Sequence, residues 1–70
     1  MERQPVVSSN VASIGYDEDG KELQVEFRNG SVYSYWNVPA SEHQALMAAR
    51  SKGSYLHFYI KGSYPFTQVG

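Results

Sequence analysis

Phe27-Arg28-Asn29-Gly30-Ser31-Val32-Tyr33-Ser34-Tyr35-Trp36 is the stretch on which the reading of the fold turns. Asn and Gly both tolerate positive φ, so Asn29-Gly30 between two β-rich runs predicts a β-hairpin. Upstream, Leu23, Val25 and Phe27 alternate with Glu22, Gln24, Glu26 and Arg28, the period of a half-buried strand. Downstream, Ser31 to Trp36 returns antiparallel and carries three aromatics. The turn also decides where those rings point. A two-residue loop pairs Arg28 with Ser31, faces Phe27 toward Val32 and Leu23 toward Trp36, and leaves Tyr33 and Tyr35 on the outer face. A three-residue loop with a G1 bulge pairs Phe27 with Ser31, places Tyr33 beside Val25 and Tyr35 beside Leu23, and sends Val32, Ser34 and Trp36 outward. The bulged register is preferred because it keeps Ser34 out of the core, although it exposes Val32 and Trp36.

Working outward, Val11 to Tyr16 reads as an earlier strand, and Asp17-Glu18-Asp19-Gly20 as its turn, with Gly20 supplying the positive φ. The segment from Met1 to Ser9 is polar, holds Pro5, and is expected to fray at its start. Three short antiparallel strands in chain order make a meander. Pro39 ends the last of them and suits the first turn of a helix over Ala40 to Arg50, where Leu46, Ala45 and Ala49 are candidate buried positions. Ser51 caps a second helix over about Lys52 to Ile60, with Leu56 and Ile60 on one face and Gly62 at its end. Tyr55, Phe58, Tyr59 and Ile60 favour β structure, which leaves a strand open for the same residues. Tyr64-Pro65-Phe66 is an extended aromatic tail suited to covering the end of a small core. The expected fold is therefore α+β: a three-stranded antiparallel meander followed by two short helices packed on one face.

Seventy residues support one domain, whose core contributes about 3–5 kcal/mol net. There is no cysteine, hence no disulfide or thiolate chemistry, and His43 and His57 are the only imidazoles. No metal or cofactor is expected. No signal peptide or membrane-length apolar run is visible, which points to a cytoplasmic domain, taken as a monomer. The formal net charge is −1, but it is unevenly distributed: residues 1–42 carry a net −4 and residues 43–70 a net +3, from Arg50, Lys52 and Lys61. Such a split can generate a local positive field, although three cations also suit an ordinary solvated surface.

The ordered set Val7-Ser8-Ser9-Asn10, Ile14-Gly15-Tyr16-Asp17, Leu23-x-Val25-x-Phe27, Asn29-Gly30, Tyr33-x-Tyr35, Val38-Pro39, Ser51-Lys52-Gly53, Ile60-Lys61 and Tyr64-Pro65-Phe66 resembles the KTSC domain. The resemblance runs from Val7 to Phe66, and its central mark is the pair Tyr33 and Tyr35. The family takes its name from the C-terminus of some lysyl-tRNA synthetases and also forms small stand-alone bacterial proteins. What the resemblance implies for function is RNA binding, suggested by attachment to a tRNA-handling enzyme. No synthetase catalytic region is present, so ligase activity does not carry over. Phe58-Tyr59 stands where relatives are more polar or basic, which counts against polyanion binding by the second helix.

The nucleic-acid reading gathers Tyr33, Tyr35 and Trp36 with Arg28, Arg50, Lys52 and Lys61: rings stack on bases and cations meet phosphates, provided both sets share a face. In the bulged register only Trp36 is presented to solvent and the tyrosines pack inward. Ser51-Lys52-Gly53 offers an anion site or, more simply, a helix cap with a solvent lysine and a glycine that permits close packing. Neither histidine belongs to a recognisable nucleophile–base pair, so no enzyme is indicated. The leading expectation is a non-catalytic module binding RNA or tRNA; the alternative is a protein-interaction or regulatory module anchored by Trp36, Tyr59 or the aromatic tail.

Overall fold

The computed structural model describes residues 1–70. Its centre is the predicted hairpin, strand β3 (Glu22–Phe27) and strand β4 (Val32–Tyr35), with Leu23 opposite Tyr35 and Val25 opposite Tyr33. The Phe27 amide donates to the Ser31 carbonyl at 2.8 Å and the Gly30 amide returns to Phe27 at 2.9 Å, closing a three-residue loop. Gly30 sits at φ +94°, the conformation that the G1 bulge asks of its glycine. The bulged register holds. Ser34 lies on the outer face as that register requires, yet it is fully buried there, because Glu22 accepts from its hydroxyl at 2.5 Å and Gln24 donates to it at 3.3 Å.

The sheet has five strands rather than three, in the order β1-β2-β3-β4-β5, all antiparallel. Strand β2 (Val11–Asp17) pairs with β3 through a register shift near Ala12. Strand β1 (Gln4–Pro5) adds one edge and β5 (Phe66–Gln68) the other. Both additions are short, and Pro5 can stand only where no neighbour needs its missing N–H, namely on an edge. The aromatic tail thus contributes a strand, Phe66 facing Tyr35 across the ladder. At the β2–β3 turn the left-handed residue is Lys21, at φ +52°, and not Gly20; Asp17 Oδ1 accepts the Asp19 amide at 3.2 Å and sets the turn one residue later.

Helix α1 (Ala40–Ala48) is shorter than expected by two residues. Leu46 is its buried anchor, whereas Ala45 is exposed and Ala49 half-buried. Helix α2 (Lys52–Tyr55) begins at Ser51, whose hydroxyl accepts the Ser54 amide at 3.2 Å, and it runs on as a π-helical turn over Leu56–Ile60. The stretch is helical, so the strand alternative falls. Gly62 ends it at φ +83°. Leu46, Leu56 and Ile60 close over one face of the sheet with Val11, Ile14, Leu23, Val25, Tyr35 and Val38, so the helices are indeed one-sided. The other face carries a polar network in place of a second layer. Arg3 donates to Gln24 at 2.6 Å and to Ser13 at 3.1 Å, and Ser13 donates to Glu26 at 2.8 Å. No helix is long and apolar enough to cross a membrane.

Candidate functional site

Because β4 is in the bulged register, Tyr33 and Tyr35 lie on the inner, helix-bearing face beside β5. No residue of the two helical segments lines the space beside these tyrosines and Phe66. What remains is an open cleft of about 690 Å³ lined by Phe27, Tyr33, Tyr35 and Phe66, with Arg28, Asn29, Ser9, Asn10 and Lys61 around its rim. The rings form one cluster: Tyr33 meets Phe27 edge-on at 5.9 Å, Phe66 at 5.8 Å and Tyr35 at 6.5 Å, and Tyr35 meets Phe66 at 6.0 Å. Tyr35 is 2 % exposed, yet Phe66 at the mouth is 58 % exposed. No buried polar side-chain atom lacks a partner, and the Tyr35 hydroxyl meets no protein group, so that hydroxyl opens into the cleft. Burial, with Tyr33 beside it, raises its pKa above the ordinary tyrosine value, and it stays a neutral donor and acceptor at physiological pH.

The rim is positively charged. Arg28 Nε donates to the Ser8 carbonyl at 2.8 Å, which braces the guanidinium while leaving both terminal nitrogens for a ligand. Lys61 follows the π-helical turn and is held there by its amide, which donates to Leu56 at 2.8 Å. No carboxylate lines this cleft, although the chain has seven. The other large cleft, beside β1, includes Glu2 and Glu18.

Of the expected site residues, Arg28, Tyr33, Tyr35 and Lys61 therefore meet at one place. Three do not. Trp36 is on the opposite face, 37 % exposed, its indole N–H donating to Thr67 at 3.2 Å. Arg50 is exposed in the connection between α1 and α2. Lys52 is no solvent lysine: its ammonium donates to the carbonyls of Met47 at 3.0 Å and Ala49 at 2.6 Å, closing the end of α1. A Cβ at Gly53 would sit 3.4 Å from the Asn10 amide group, an ordinary contact, so close packing does not demand glycine there. Sequence reasoning did not bring Phe27 and Asn10 to the site, and it offered Phe66 only within the aromatic tail that would anchor a protein partner. The one signal available for Phe66 was the β-favouring residue after Pro65, which reads equally well as a core cover.

His43 stacks on Tyr16 at 4.6 Å and 9°, and burial lowers its pKa below the ordinary histidine value, as befits a packing imidazole. Glu42 accepts from the hydroxyls of both Tyr55 and Tyr64, the latter at 2.8 Å, tying α1 to α2 and to the segment entering β5.

A five-stranded antiparallel sheet, covered on one face by two short helical segments and left open over a tyrosine pair at one end, defines the class of domain. The chain belongs to the KTSC domain family, whose pattern matches residues 7–64. It is 38 % identical over 61 residues to a lysine–tRNA ligase of Nostoc punctiforme, covering 87 % of this chain. The chain spans only about a tenth of such ligases, 11 % in that case. An uncharacterised protein of Stutzerimonas stutzeri is 39 % identical over 61 residues, covering 87 % of this chain and 86 % of its own. The crystal structure of a KTSC domain protein from Yersinia pestis superposes with a TM-score of 0.95 at 43 % identity, covering 99 % of this chain and 97 % of that one.

Proposed function

We propose that this protein is a non-catalytic cytoplasmic module that binds RNA, a tRNA among the candidates, by taking one unpaired base into the aromatic cleft with the phosphates on either side of it on Arg28 and Lys61. The observation that carries this reading is the meeting of Tyr33, Tyr35 and Phe66 with two cations and no carboxylate on a chain of net charge −1. Every base has a π-face, so stacking on exposed rings is tolerant of sequence, and unpaired loops and ends are where RNA offers such faces. The Tyr35 hydroxyl at the cleft floor supplies a neutral hydrogen-bonding group for a base edge. Kinship to a segment of lysine–tRNA ligases supports RNA as the polymer.

The test is titration of the labelled protein with a short oligouridylate at low salt, followed by NMR. Shifts are expected at Arg28, Tyr33, Tyr35, Lys61 and Phe66, and Phe66→Ala should weaken binding about tenfold, the effect of losing one stacked base. An unmoved spectrum would remove the RNA reading. A second reading, a protein-interaction module, is favoured by the exposed rings of Phe58, Tyr59 and Phe66. It is marked by association that resists added salt, because apolar contact releases no counterions.

A further inference from the structure

Lys61 borders a second space besides the aromatic cleft. A smaller depression of about 350 Å³ lies between the second helical segment and the residues that lead into β2, lined by His57 and Phe58 together with Ser9, Asn10, Phe27 and Lys61. The last four residues also line the aromatic cleft, so the two spaces adjoin across a shared wall, a groove of two compartments. Its far end has its own ring. Phe58 is 72 % exposed and sits edge-on to His57 at 4.9 Å, on the π-helical turn. Turns of that kind recur at functional sites. An apolar ring that open to solvent has not been placed there by core packing. No carboxylate lines this second space either, so the groove is free of acidic side chains along its whole length.

We infer that the groove binds two successive nucleotides of a single strand, the first base against Phe66 and Tyr33, the second on Phe58, with Lys61 at the shared wall holding the phosphate that joins them. This rests on the base-binding reading of the aromatic cleft and extends it. A stacking platform at each end with a cation between them reproduces the base–phosphate–base order of a dinucleotide. The groove also gives Phe58 a role: a stacking ring can serve a nucleic-acid groove where a basic residue would otherwise add charge.

The experiment compares the full chain binding uridine 5′-monophosphate and the 5′-phosphorylated dinucleotide of uridine, by NMR titration at low salt. The mononucleotide should shift Arg28, Tyr33, Tyr35 and Phe66; the dinucleotide should add His57 and Phe58 and bind about tenfold tighter. Phe58→Ala should return the dinucleotide to the affinity of the mononucleotide and leave the mononucleotide unchanged. Phe58→Trp should keep the gain, which a merely structural role for the ring would not. A dinucleotide that gains nothing over the mononucleotide, or a Phe58→Ala variant that weakens both alike, overturns the two-nucleotide groove while the single-base cleft survives. Absence of binding by either compound overturns both.

Discussion

Gly30 is the residue on which the geometry of the cleft depends. At φ +94°, with nothing within 4 Å of where a Cβ would stand, its requirement is conformational and not spatial. Gly30→Ala should therefore cost about 1–2 kcal/mol, the left-handed penalty of an L-residue, and lower Tm by about 5–10 °C. Gly30→Asn should cost less, since asparagine tolerates that region. A melt unchanged by Gly30→Ala would contradict the turn. At this scale much could be read from the chain: Asn29-Gly30 announced the reversal, and the polarity of Ser34 favoured the bulged register. What could not be read was the fate of single side chains that are amphipathic or long. Tyr35 is core by area and cleft by its hydroxyl, while Lys52 looks like a surface cation until the end of α1 is seen beneath it. The position of the left-handed residue in the β2–β3 turn likewise depends on Asp17 capping the Asp19 amide, a choice the bare run Asp17 to Gly20 leaves open.

Elements hold together here through borrowed polar groups. Helix α1 has no basic residue in its last turn, and Lys52 supplies one from the next segment, donating to Met47 and Ala49. Lys52→Met keeps the stem and removes the charge, and it should lower stability by about 0.5–1 kcal/mol in urea while leaving RNA affinity unchanged. A loss of affinity without a loss of stability would return Lys52 to the binding site. The Glu42 clasp predicts a pH dependence. Its hydrogen bond with Glu42, ahead of burial, pushes Tyr55 up to about 12, above the ordinary value of 10.0. The folded state thus favours the neutral hydroxyl. The contribution is whole below pH 10.0, where the unfolded chain also keeps its proton, and it is lost as pH rises from there toward 12. Tyr55→Phe should flatten this part of the curve of urea midpoint against pH; an unchanged decline would place its origin elsewhere. The two edge strands were illegible for a related reason. Gln4–Pro5 and Phe66–Gln68 are too short to show a period, and each exists because a longer neighbour presents a free ladder.

Across the whole molecule, charge along the chain proves a poor guide to charge in space. The C-terminal excess of Arg50, Lys52 and Lys61 is dispersed by folding, whereas Arg28, from the acidic half, arrives beside Lys61 at the aromatic cleft. The sum of −1 conceals a groove with two cations and no lining carboxylate. That arrangement fixes how RNA affinity should respond to salt. Each phosphate neutralised on a single strand contributes about −0.7 to the slope of log affinity against log salt, so Arg28 and Lys61 together predict a slope of about −1.4. Lys61→Gln should reduce it to about −0.7, and Arg50→Gln should leave it at the wild-type value. Fluorescence anisotropy of a labelled oligouridylate across a salt series measures all three. A slope much steeper than this would mean that the dispersed lysine and arginine residues also reach phosphate, and that the ligand wraps beyond the groove. A slope near zero with affinity intact would mean that ring stacking alone holds the strand, and that Arg28 and Lys61 do not reach phosphate.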